Sequence, residues 1–110
     1  DRMTRIEVEL MALEVTNLRF IDEMQRTGQP PGPDVSMLKI KGTEIQQALT
    51  ELLMIAAGPA ARSFRAIEYD GFDTFSANTA AHYFNYRKTS IYAGSNEIQR
   101  NIIAKMALGL

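Results

Sequence analysis

Four consecutive residues, Gly94-Ser95-Asn96-Glu97, have the types and order from which a ligand-holding corner is built. Glycine takes a positive φ without steric cost and so suits a sharp turn. A serine just behind it can accept a hydrogen bond from a free amide of a new helical turn. Glu97 adds negative charge near the positive end of that helix's dipole. Amide donors opening from a glycine turn suit a phosphate or another oxygen-rich ligand. The same residues also make an ordinary helix–turn–helix corner, which is the commoner outcome on local physics alone. The lone histidine, His82, has no cysteine or carboxylate partner at metal-ligand spacing, so a structural role is expected for it. The phosphate-binding Gly-x-x-x-x-Gly-Lys loop, the dinucleotide glycine fingerprint, His-Glu-x-x-His and Gly-x-Ser-x-Gly are all missing.

The elements that must position this corner are helical. Met3, Ile6, Leu10, Leu13, Phe20 and Met24 recur at alternating three- and four-residue steps, with Asn17 in one slot. A second row, Val8, Met11, Val15 and Leu18, lies about 140° around the same helix. Two separated stripes need two surfaces, one in the domain's own core and one on a further domain, another subunit or wrapping neighbours. Gly28 and the prolines at 30, 31 and 33 end this helix, and Asp34 is the expected N-cap of the next. That second helix carries Val35, Leu38, Ile45, Leu49 and Leu52, with Gly42 expected to permit close approach of a neighbouring helix, and stops at Gly58-Pro59. Residues 60–76 interleave aromatics with Arg62 and Arg65 around an Asp70-Gly71 turn signal. Glu68, Asp70 and Asp73 offset the arginines, so a surface loop is expected there and not a nucleic-acid site. Asn78 or Thr79 is the expected cap of a third helix reaching Tyr92. Ile98, Ile102 and Met106, with Ile103 and Leu110 beside them, make the face of a fourth. The expected fold is all-α, an up-and-down four-helix bundle forming one domain over residues 1–110.

Composition sets the outer bounds. With 110 residues, 45% hydrophobic and 23% charged, the chain can build one sizeable core and is not of disordered type. A net charge of −1 gives no general attraction to nucleic acid or to an anionic membrane. No apolar run approaches the ~20 residues that cross a bilayer. The absence of cysteine removes disulfides and thiolate metal sites. Helical patterning begins almost at Asp1 without a leader-like segment, so a fragment of a longer chain is expected.

The run Ile91-Tyr92-Ala93-Gly94-Ser95-Asn96-Glu97-Ile98-Gln99-Arg100-Asn101-Ile102-Ile103-Ala104-Lys105 resembles the C-terminal signature of the acyl-CoA dehydrogenase family. That signature commonly reads Ile-Tyr-Glu-Gly-Thr-x-Glu/Gln-Ile-Gln-Arg-x-Ile-Ile-Ala-Arg. More loosely, the helix from Asp1 and the segment from Asp34 to Gly58 are similar to the first two helices of the same domain. The resemblance implies an N-terminal helical domain and a middle β-domain outside these residues, FAD as cofactor, an acyl-CoA substrate, and self-association into a dimer or tetramer. It implies that Gly94 lies against the acyl group and that Ser95, Asn96 and Glu97 lie along the FAD. It further implies a cytoplasmic location in a bacterium or the mitochondrial matrix in a eukaryote.

Departures from the family pattern matter as much. Ala93 stands where the catalytic glutamate usually precedes the glycine, and alanine cannot take a proton. A carboxylate displaced into an earlier helix is favoured over a member with no base, because the flavin-side residues are kept. A non-catalytic oligomerisation module or partner subunit is the alternative, and within the superfamily an acyl-CoA oxidase or another flavin oxidase is a further one. Met54-Ile55-Ala56-Ala57-Gly58 replaces a frequent Gln-x-x-Gly-Gly, and Phe84-Asn85-Tyr86-Arg87 keeps only the last arginine of Arg-Asp-x-Arg. The fragment alone is expected to be inactive.

Overall fold

A computed structural model of the chain describes residues 1–62 and 74–110. Most of the aromatic and basic loop, including Asp70-Gly71, lies outside the described residues. The remainder forms α1 (Arg2–Thr27), α2 (Ser36–Ala57), α3 (Thr74–Tyr86) and α4 (Asn96–Ile102). Short 3-10 turns run over Pro33–Val35, Gly58–Arg62 and Arg87–Ser90, and a π-helical turn over Ile103–Ala107 continues α4. No strand occurs among the described residues, and the all-α reading holds. α2 is the central element, packing against α1, α3 and α4.

Local chemistry explains most helix ends. Asp1 caps α1 by accepting from Met3 N–H at 2.9 Å, and Gly28, at φ 66°, closes it by donating to the Met24 carbonyl. Asp34 is not the cap of α2. It sits inside the 3-10 turn that starts on the proline, so the chain is already wound when α2 begins at Ser36. Asn78 and Thr79 are not caps either. α3 begins earlier, at Thr74, and ends at Tyr86 instead of running to Tyr92.

α1 and α2 run antiparallel, with Arg2 of α1 reaching Glu51 of α2 at 3.7 Å and Leu13 lying over Gly42. Only part of the first α1 stripe is covered. Ile6, Leu13 and Phe20 are half-buried, whereas Met3, Leu10 and Met24 are exposed. The second stripe is bare, with Val8, Met11, Val15 and Leu18 57–65% exposed. The fourth-helix face is bare at Ile98, Met106 and Leu110 as well. The accessible surface is 8148 Å², against about 6,100 Å² for a compact monomer of this mass. The radius of gyration is 17.9 Å, against about 13 Å for a compact domain of this length. The difference in area is of the size that a stable protein–protein interface covers.

Gly42 departs from the expectation of close approach. A Cβ there would meet Leu13 Cδ2 at 4.0 Å, an ordinary contact. Replacing Gly42 with alanine is therefore expected to stabilise the fold by roughly 0.5–1 kcal/mol, through the lower entropy of the unfolded chain and better helix propensity. Urea unfolding measures this as a raised midpoint; a lowered midpoint would mean that α1 sits closer to α2 than described.

Candidate functional site

The corner singled out in the sequence is a real turn. After the 3-10 turn at Arg87–Ser90 the chain reverses over Ile91–Gly94 and enters α4. Ala93 has φ 55° and Gly94 φ 84°, so two successive residues occupy the left-handed half of backbone space. Among the described residues Ala93 is the single non-glycine with positive φ. Glycine accepts that conformation freely, whereas alanine is strained there. A Cβ on Gly94 would also lie 2.5 Å from Gln99 Nε2, so the end of that flexible side chain would have to move aside. Ser95, in extended conformation, caps α4, its Oγ accepting from Ile98 N–H at 3.3 Å. The turn lies at the surface, with Ile91 70% and Tyr92 53% exposed and Phe84 of α3 67% exposed nearby in sequence.

The side chains of the four corner residues diverge. Glu97 is fully exposed, and its carboxyl is held below the ordinary value of 4.5. Its own backbone N–H contributes most, then the Ser95 hydroxyl, with Arg100 and Lys39 adding smaller attractions. Asn96 goes the other way. It is only 6% exposed and points into α2. Lys39 Nζ donates to its Oδ1 at 2.8 Å, and its Nδ2 donates to Thr43 Oγ1 at 3.0 Å. Because an ammonium only donates, the Asn96 atom facing Lys39 is the oxygen, which fixes the amide's orientation. The single hydroxyl proton of Thr43 goes to the Ile40 carbonyl at 2.9 Å in preference to Asn96 Oδ1 at 3.3 Å, leaving a lone pair for Asn96.

The other end of the turn is fastened in the same manner. Arg87 Nη2 donates to the Gln47 carbonyl at 2.8 Å and meets Thr50 Oγ1 at 3.4 Å. Gln47 Nε2 donates back to the Arg87 carbonyl at 3.2 Å. The guanidinium lies over the Tyr83 ring, 4.4 Å from its centroid, which partly compensates a buried Nε–H that has no hydrogen-bond partner. His82 is exposed beside Tyr86, with ring centroids 6.1 Å apart, and no metal-ligating cluster occurs among the described residues. Met54 and Gly58 line a surface cavity of about 400 Å³ with Glu51, Ile55, Pro59 and Tyr83.

Residues 1–108 match the family model described as acyl-CoA dehydrogenase, C-terminal domain. The chain belongs to the acyl-CoA dehydrogenase family. It is also 35% identical over 110 residues to the acyl-CoA dehydrogenase IpdE1 of Mycolicibacterium smegmatis, and spans 25% of that relative's length. No solved structure matches it. Within this acyl-CoA dehydrogenase domain, the residues missed by sequence reasoning are Lys39, Thr43, Gln47 and Thr50 of α2. Their spacing of i, i+4, i+8 and i+11 puts them on one helical face. That signal was present, but polar residues at helical spacing ordinarily mark a solvated face.

Two measurements check the corner. Replacing Ala93 with glycine is expected to raise stability by about 1 kcal/mol in urea unfolding, since it relieves the left-handed alanine. A carboxyl titration of Glu97 by NMR is expected to show its midpoint below the ordinary value, moved upward by Ser95→Ala. A depressed carboxylate stabilises the fold above the ordinary value and loses that contribution as the pH falls through its lowered one.

Proposed function

We propose that these residues are the C-terminal domain of an FAD-dependent acyl-CoA dehydrogenase that introduces an α,β double bond into an acyl-CoA thioester. The observation that carries the proposal is the Gly94 turn, a bare Cα at positive φ, exposed on its outer side and fastened to α2 at both ends. In this reading Gly94 lies against the acyl group. Ser95 and Glu97 meet the FAD through a half-buried hydroxyl and an exposed, ionised carboxylate, groups that suit the hydroxyl-bearing part of that cofactor. Asn96 contributes through its backbone, because its side chain is already bonded to Lys39 and Thr43. The bound flavin supplies acceptance of a hydride from the substrate's β-carbon. The chain's own part is to orient the acyl group and exclude water from one side of it. Proton removal from the α-carbon falls to a carboxylate outside these residues, since Ala93 has no titratable group. The bare apolar stripes of α1 and α4 would be covered by the rest of the enzyme and by self-association into a dimer or tetramer.

Ala93 also favours a second reading, a non-catalytic partner subunit of a heteromer that handles no acyl substrate. An acyl-CoA oxidase would use the same turn. The full-length protein distinguishes them: it is expected to purify yellow and to reduce an artificial electron acceptor on addition of an acyl-CoA. A colourless protein that only assembles would establish the partner subunit, and peroxide formed from oxygen would establish the oxidase. Removing an upstream pocket carboxylate to alanine should abolish turnover, and activity left untouched would defeat the displaced base. These 110 residues alone, given FAD and an acyl-CoA, should not turn over.

A further inference from the structure

Every polar group on the inner face of α2 that touches the segment from Tyr86 to Asn96 does so at one of two places. Near the start of α2, Lys39 and Thr43 hold Asn96, the first residue of α4. One and two helical turns later, Gln47 and Thr50 hold Arg87 and the carbonyls of Tyr86 and Arg87, where α3 ends. Thr43, Thr50 and Asn96 are buried, so the Asn96–Thr43 bond is shielded from competing water, and the bonds of Lys39, Gln47 and Arg87 are part-buried. Between the two anchors lie Lys88 to Ser95, including the strained Ala93 and the Gly94 turn. Thr89 and Ser90 bond only to carbonyls three residues back, so they stiffen the segment without tying it to α2. A strained residue persists only where its surroundings over-determine it. Here the surroundings are the two anchors.

We infer that the α2 polar stripe is a two-point clamp that sets the height and tilt of the Gly94 turn, and that the Asn96 side chain is a positioning residue that touches neither cofactor nor substrate. The inference rests on the flavin reading above and assigns the means by which that site is held. Lys39 is the charged end of the clamp. Its ammonium donates to the Asn96 amide oxygen at 2.8 Å and also attracts the neighbouring Glu97 carboxylate, so the bond to Asn96 is charge-assisted. Gln47 is the neutral end, its carboxamide spanning two consecutive carbonyls of the α3 terminus. Loosening either end lets the turn move while the helices stay folded. Displacements of ~1 Å at such a site change ligand binding and rate far more than they change stability.

The test uses the full-length protein with FAD, measuring flavin affinity, the visible circular dichroism of bound flavin, and kcat and KM with an acyl-CoA, each well below the melting temperature. Asn96→Leu keeps volume but removes both bonds; Gln47→Met removes the two carboxamide bonds at the other end and leaves the Arg87 bond to the Gln47 carbonyl; Asn96→Asp keeps an acceptor for Lys39 and lets Thr43 turn its proton from the Ile40 carbonyl to the carboxylate. Asn96→Leu and Gln47→Met are expected to weaken flavin binding about tenfold or more and to alter the flavin dichroism, with Asn96→Asp restoring most of both. Unchanged flavin affinity and dichroism in Asn96→Leu and Gln47→Met, with wild type yellow, overturns the clamp. Failure of Asn96→Asp to rescue overturns the positioning role and points to direct contact by the amide. Should Asn96→Leu not fold, Gln47→Met and Asn96→Asp decide alone. A wild type that takes up no FAD overturns the flavin reading itself, and the clamp as a flavin-positioning device with it.

Discussion

Burial of hydrogen-bonding groups on α2 constrains this domain more tightly than its apolar contacts do. Apolar packing is non-directional, and the apolar residues buried among the described ones are few: Ile40, Ile45, Ala61 and Ala80. By contrast Thr43, Thr50 and Asn96 are buried polar residues whose partners sit at fixed distances. A buried donor or acceptor left without a partner costs about 1–3 kcal/mol, so sliding α3 or α4 along α2 by one turn would break several bonds together. Register between the central helix and the two helices flanking the turn is therefore set by hydrogen bonds. Exposed ion pairs add little: Glu44, which meets Lys41 at 3.1 Å and Arg100 at 3.3 Å, lies at the surface, where such pairs contribute about 0–1 kcal/mol.

The other side of α2 follows a different logic. α1 rests there through Ile6, Leu13 and Phe20 and keeps its second stripe in water. None of the 26 residues of this helix is fully buried, so its packing within these residues is limited to one half-covered stripe. Its accessible apolar surface is too extended for a monomer's ordinary scatter of exposed side chains, and it forms a line along one face. One face of α2 holds a turn by polar bonds, and the other supports a helix whose outer apolar face is exposed.

Helix existence and the site of the turn were legible because both rest on local, periodic signals: three- and four-residue spacing for the helices, and Gly94-Ser95 for the corner. Capping was legible only where no longer-range packing competed. Gly28 behaves as its chemistry demands, but Asp34 is overtaken by a 3-10 turn wound on Pro33, and Asn78 and Thr79 lie within a helix that starts earlier. The clamp was not legible for a subtler reason. Lys39, Thr43, Gln47 and Thr50 align on a helical face, but whether such a face meets water or another element depends on partners 37 to 57 residues away. The inward turn of the Asn96 side chain was not legible for the same reason: it points at α2, which offers it a donor and an acceptor.

Ala93 brings these strands together. A left-handed alanine followed by a left-handed glycine is a backbone shape the residues themselves do not favour, and nothing in Ala93's methyl group stabilises it. The shape is instead imposed from both ends, by Arg87 on one side and Asn96 on the other. It follows that the conformation of the turn does not depend on which side chain occupies position 93. A glutamate there would meet the same backbone, and an alanine loses none of it. On the function proposed above, holding a ligand and removing a proton would be separable properties of this corner, the first set by α2 and the second by a single side chain. The turn itself is kept with alanine at position 93.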